Sequence, residues 1–196
     1  MPRRTLQLVN PDHLKIRSSE YWYESLRDNI MPWVIGGVDL GDDVLEVGPG
    51  PGLTTDLLLH RIKVLTTVEL DDKMAADLSS RLAGTNVKVV HGDATAMPVE
   101  ARRFTGATSF AMLHHVPTTE LQDQLFTEVA RVLQPGGAFA AFDGITNEGI
   151  AAFHEKGIYN PIDPSTLESR LLGAGFTSIE VQTNELGWAA KARIST

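Results

Sequence analysis

From Asp43 onward, short apolar runs alternate with longer amphipathic stretches, and few folds accommodate that rhythm. "VLEVG" (44–48), "KVLTTVEL" (63–70), "NVKVVHGD" (86–93), "ATSFAMLHHV" (107–116) and "AFAAFD" (138–143) read as strands. Between them, "LTTDLLLHRI" (53–62) and "DDKMAADLSSRLAG" (71–84, closed by Gly84) read as helices. A third helix opens at Thr119, three residues before Gln122 in capping-box spacing. Its stripe runs through Leu121, Leu125, Val129, Val132 and Leu133, and "PGG" ends it. Strands this apolar need cover on both faces, and right-handed crossovers then give an α/β, doubly wound, mostly parallel sheet.

The two ends differ from this pattern. "FTSIEVQTN" and "GWAAKARIS" follow one another closely, after a glycine-stopped helix in "PSTLESRLLGAG". A tight connection makes them an antiparallel hairpin at the sheet edge. Residues 1–40 form an N-terminal helical segment, with Tyr21, Trp22, Leu26 and Ile30 at helical spacing and an expected stop near Pro32. It either packs on the main domain, residues 41–196, or acts as a lid over a substrate.

The absence of cysteine rules out disulfides, thiolate metal sites and cysteine nucleophiles, and it suits a cytoplasmic enzyme. No run of eighteen apolar residues is present, so no membrane span is expected, and the start lacks the apolar stretch of a secretory signal. A net charge of -8 opposes nucleic acid as a partner. Arg102-Arg103 reads as solvated surface.

Ligands of open parallel sheets sit beyond the carboxyl ends of the strands. That rule selects the loop 48–52, Glu69, Gly92-Asp93 and residues 112–117. Gly48, Gly50 and Gly52 permit positive φ and close approach, while Pro49 and Pro51 remove two backbone donors. A dinucleotide fingerprint would place its third glycine where Leu53 stands. Glu46, just before the loop, adds negative charge where phosphates would lie. The ligand should therefore be weakly anionic or cationic near the loop. Glu69, twenty-one residues after Gly48, suits vicinal ribose hydroxyls, and Asp93 suits an exocyclic amine or a turn. An NAD-dependent oxidoreductase is the competing reading.

In order, "VLEVGPGPGLTT", "VELDDKM", "VVHGDATAMP", "FAMLHHV", "VARVLQPGGAFAAFD" and "LLGAGFTSIEVQ" resemble the class I S-adenosylmethionine-dependent methyltransferases. The resemblance covers about residues 40 to 196 and implies a Rossmann-like seven-stranded sheet whose last strand is antiparallel. It implies S-adenosyl-L-methionine as cofactor. Glu46, Gly48, Pro49, Gly50 and Gly52 would hold its methionine half, and Glu69 its ribose. Leu70 would flank the adenine, Asp93 and Ala94 would bind it, and Met112 would border the sulfonium. The front half also resembles ribosomal RNA adenine dimethyltransferases. "LHHVP" replaces their target-gripping motif, and Asn160-Pro161-Ile162-Asp163 echoes it only after the fifth strand. The back half resembles quinone-biosynthesis and small-molecule methyltransferases, so the expected acceptor is a small molecule. A non-catalytic cofactor-binding protein is a further alternative.

Methyl transfer is an in-line displacement that depends on alignment, with a base where the nucleophile must lose a proton. His115, and after it His114, are the candidate bases, although both residues also suit a purely pocket-shaping role. No third ligand is spaced to make them a metal site. His91 reads as structural or adenine-adjacent, and Asp143 as a substrate orienter, a helix cap or a turn residue. Residues 144–164 and the N-terminal helix would close a small pocket around Tyr21, Trp22, Phe153, His154 and Tyr159. Their shortness leaves room for a homodimer to complete it.

Overall fold

The computed structural model describes residues 19–144 and 158–196. Its centre is one seven-stranded sheet: β1 (Asp43–Val47), β2 (Val64–Glu69), β3 (Val87–His91), β4 (Phe104–Phe110), β5 (Leu133–Asp143), β6 (Phe176–Asn184) and β7 (Gly187–Ile194). The order across the sheet is β3-β2-β1-β4-β5-β7-β6. The first five strands pair in parallel, and β7 runs antiparallel to both β5 and β6. This is the Rossmann-like arrangement with a C-terminal hairpin expected from the sequence. The hairpin's second strand, not its first, joins the parallel sheet.

Among the described residues the α-helices are α1 (Glu20–Ser25), α2 (Met31–Ile35), α3 (Leu53–Leu58), α4 (Asp72–Arg81), α5 (Thr119–Val132) and α6 (Leu167–Gly173). Strand pleat divides the core into two layers. Phe139 and Ala141 of β5 face α5 and α6 through Leu125, Phe126, Val129, Leu167 and Leu171. Ala138, Ala140 and Phe142 face the other way, toward Leu26, Ile30, Met31, Val34 and the α3 leucines 57 and 58. The described part of the N-terminal segment is thus built into the core by four side chains at most 1% exposed. Among the described residues no helix is long and apolar enough to cross a membrane.

Three boundaries differ from the sequence reading. Pro32 does not stop the N-terminal helix, which continues to Ile35. A π-turn at Leu26–Ile30 precedes it, with the Met31 N–H bonded to the Leu26 carbonyl, and Pro32 falls in the first turn of α2 where its missing donor costs little. The N-cap of α5 is Thr118, whose hydroxyl accepts from the Leu121 N–H; Gln122 is buried and used elsewhere. β4 begins at Phe104 and ends at Phe110, because Ala111 turns into the left-handed region at φ 49°. "LHH" consequently forms a 3₁₀ turn beyond the strand rather than its end. Arg103 is also less solvated than expected, lying over the Phe104 ring and 3.6 Å from Asp43.

Candidate functional site

β1 lies between β2 and β4, so the chain reverses its direction of travel across the sheet at β1 and β4, and a crevice opens beyond their carboxyl ends. A cavity of about 310 Å³ occupies it. Gly48, Gly50 and Pro51 supply one wall, and Glu69, Leu70 and Met74 the next. Asp93, Ala94 and Thr95 come from the end of β3, and Met112, His115, Val116, Leu121 and Leu125 close the opposite side.

The glycine loop is shaped by backbone needs. Gly48, Gly50 and Gly52 have φ of 66°, 54° and 89°. A Cβ at Gly48 would overlap the Met112 side chain, so strand end and turn approach as closely as glycine allows. Gly52 caps α3 against Arg81, whose guanidinium binds Asp56 at 2.6 Å and the Pro51 carbonyl at 3.2 Å. All three glycine N–H groups are used within the protein: Gly48 donates to Val68 O, Gly50 to Glu69 Oε2 and Gly52 to Pro49 O.

Glu69 is 8% exposed and lines the cavity. Its Oε2 accepts from Gly50 N–H and its Oε1 from Asp71 N–H, both at 3.0 Å. These bonds orient the carboxylate while each oxygen keeps capacity for a second donor. Asp93 combines both sequence readings. Its Oδ1 accepts from the Thr95 N–H and hydroxyl in a local turn, and the residue also lines the cavity. His91 does not line it; its Nε2 lies 3.0 Å from the carbonyl of Leu70, which does.

Glu46 is placed elsewhere. Val44 packs on the α3 side and Leu45 and Val47 on the other, so the pleat sends Glu46 toward α3. There, 1% exposed, it accepts from the hydroxyls of Thr54 and Thr55, the latter at 2.6 Å. Burial, the largest cause, pushes its carboxyl up to about 7. Glu46, Pro49 and Gly52 therefore support the loop from behind and do not line the cavity. Strand alternation was the signal that could have separated Glu46 from the lining residues.

The two histidines also part company. His115 lines the cavity, with Nδ1 3.4 Å from the Ile158 carbonyl. His114 is buried behind it, 4.1 Å away between ring centroids, with Nδ1 2.6 Å from Asp143 Oδ1. Tyr159 meets the His114 ring edge-on at 5.8 Å. Tyr21 is 78% exposed, and neither it nor Trp22 lines the cavity. Phe153 and His154 lie outside the described residues. Sequence reasoning missed Met74, Thr95, Leu121 and Leu125; the two α5 leucines had looked like ordinary core stripe. Among the described residues no group of three or more His, Cys, Asp or Glu could hold a metal ion.

A family profile described as "Methyltransferase domain" matches residues 45–141, which run from β1 through the glycine loop into β5. Over that stretch the chain is similar to the S-adenosylmethionine-dependent methyltransferases of class I. An uncharacterized methyltransferase of Mycobacterium tuberculosis is 28% identical over 125 residues, 63% of this chain and 58% of that protein. The ribosomal RNA small subunit methyltransferase A of Moorella thermoacetica is 36% identical over 96 residues, 47% of this chain but only 33% of the relative. The chain thus aligns to less than two thirds of either protein. A crystal structure of a SAM-dependent methyltransferase from Aquifex aeolicus shares the fold, with a TM-score of 0.74 at 18% identity over 94% of this chain and 98% of that one.

The cavity residues suit the cofactor of that class. An adenosine needs an acceptor for vicinal hydroxyls, an acceptor for an exocyclic amine and an apolar slot for the base. Glu69, Asp93 and the Leu70, Met74, Ala94 and Leu125 side chains meet those needs. The described lining contains no lysine or arginine. S-Adenosylmethionine fits this donor and acceptor set.

Proposed function

We propose that this chain is an S-adenosylmethionine-dependent methyltransferase acting on an oxygen, nitrogen or carbon nucleophile of a small molecule. One observation carries the reading: the cavity offers two carboxylates and almost nothing to an anion. Its described lining lacks Lys and Arg, and the three glycine N–H groups that could meet a phosphate are already donated to Val68, Glu69 and Pro49. A dinucleotide would bring a doubly charged pyrophosphate into that setting, where the usual site offers open N–H groups at a helix start. A sulfonium nucleoside has no such requirement.

Bound S-adenosylmethionine would supply an electrophilic methyl group. The chain's own contribution is mainly orientation. Glu69, held in place by Gly50 and Asp71, would accept from the ribose hydroxyls, and Asp93 with Ala94 would receive the adenine edge beside Leu70. Gly48, Gly50 and Met112 would border the methionine half, with Glu46, Pro49 and Gly52 bracing the loop. His115, facing the cavity, would take the acceptor's proton where the acceptor must lose one.

The charge of -8 supports a small-molecule acceptor over RNA, since a phosphate backbone would meet net repulsion. The same reading expects a cytoplasmic enzyme, either a monomer or a homodimer that completes the acceptor pocket. Calorimetric titrations with S-adenosylmethionine, its demethylated product and NADH, each alone, test the ligand. The adenosyl pair should bind and NADH should not; the opposite pattern refutes the proposal. Transfer of labelled methyl to a metabolite extract, with mass analysis of the product, then identifies the acceptor. Binding without any transfer would instead favour a non-catalytic protein.

A further inference from the structure

The turn Leu113–His115 is held more firmly than a surface turn requires. β5 alternation places Phe142 on one face and Asp143 on the other, so that the Asp143 carboxylate, 2% exposed, meets the turn from below. Oδ2 accepts from the His114 backbone N–H at 2.9 Å. Oδ1 lies 2.6 Å from His114 Nδ1 and also accepts from the Gly144 N–H at 2.9 Å. The turn's carbonyls are tied as well. The Gln122 amide donates to Leu113 O at 3.1 Å and to Asn160 O at 2.8 Å. Asn160 donates its backbone N–H to His114 O at 2.8 Å and its side-chain amide to Val116 O at 3.1 Å. The Asn160 that looked in the sequence like a misplaced echo of a target-gripping motif therefore lies at this turn, where it bonds to backbone.

We propose that Asp143 is a positioning residue: its carboxylate locks both the backbone and the ring of His114, and that lock fixes the turn presenting His115 to the cavity. The argument is one of donors and acceptors. A buried carboxylate accepts only, so His114 must place a proton on Nδ1, and its ring is held in one orientation. His115 packs on that ring at 4.1 Å between centroids, with planes at 48°, so the two imidazoles move together. Asp143 does not line the cavity, which separates it from substrate binding. The role of His115 in the reaction rests on the proposed methyltransferase function, but the lock itself does not.

The test uses the intact chain and needs no acceptor. Long-range proton–nitrogen spectra at alkaline pH, where imidazoles are neutral, report which ring nitrogen of His114 carries the proton. The proton is expected on Nδ1. In Asp143→Asn a single amide oxygen faces three donors. The His114 or Gly144 amide should then exchange at least about tenfold faster, and the His115 ring resonances should move. Affinity for S-adenosylhomocysteine, read by calorimetry, should stay within about twofold, since Asp143 contributes nothing to the lining. A proton on Nε2 of His114 in the unaltered protein overturns the proposal, and this measurement stands even if the variant does not fold. Unmoved His115 resonances in a folded Asp143→Asn variant overturn it equally. Should the unaltered protein bind neither S-adenosylmethionine nor S-adenosylhomocysteine, the proposed function fails while the tautomer result still decides the lock.

Discussion

Glu46→Gln offers a stringent test of how the glycine loop is supported. The native carboxyl sits 1% exposed beneath the loop, bonded to two threonine hydroxyls and, among the described residues, paired with no cation. Burial raises it from 4.5 to about 7, with the Thr54 and Thr55 hydroxyls opposing and Asp56 and Glu69 adding like-charge repulsion. Unfolded, the group titrates near its ordinary value. Folding therefore takes up a proton at intermediate pH. The stability that the protonated form contributes is complete below about 4.5 and is lost as pH rises through about 7. The gap is worth about 3 kcal/mol at about 1.4 kcal/mol per pH unit. Glutamine copies the protonated acid, accepting from one hydroxyl and donating to the other. Urea melts should find the two proteins similar at about pH 4 and Glu46→Gln more stable by about 3 kcal/mol at about pH 8. Other titrating groups cancel in that comparison. Parallel stability–pH curves for the two proteins would refute the assignment of a buried, cation-free carboxyl.

Glu69→Ala and Asp93→Ala should each weaken S-adenosylmethionine binding by about 1–3 kcal/mol, and unchanged calorimetric affinity in both would count against the pose. Gly48→Ala forces a Cβ into Met112 at a φ of 66°, so cofactor binding should be lost or the chain destabilised by about 1–3 kcal/mol, as thermal melts with and without cofactor would reveal. Arg81→Ala cuts an exposed tie between α4 and the loop. It should cost under about 1 kcal/mol of stability, yet speed amide exchange at Gly50 and Gly52; equal exchange in both proteins would dismiss the tie.

The strand ends that form the site were legible because each is a local signal: an apolar run, then Gly48, Glu69 or Asp93 at its close. The tail hairpin was equally readable, since only Glu185 and Leu186 separate its strands. What stayed hidden depends on partners far along the chain. Asp143 acts twenty-nine residues from His114, and Arg81 twenty-five from Asp56. Neither sequence neighbourhood mentions the other. The end of β4 was misjudged because apolar Ala111, Met112 and Leu113 prolong the run, whereas the backbone reverses hand at Ala111. Glu46 is a different case, since the two-residue period of its strand carried the answer.

The seventh strand to be synthesised is the sixth across the sheet, between two neighbours that precede it. Until residues 187–194 leave the ribosome, β5 keeps a bare hydrogen-bonding edge and β6 has no partner. Trp188, the bulkiest of the fully enclosed side chains, arrives with that strand. A nascent chain of this protein consequently carries an adhesive, half-closed sheet until that strand has emerged.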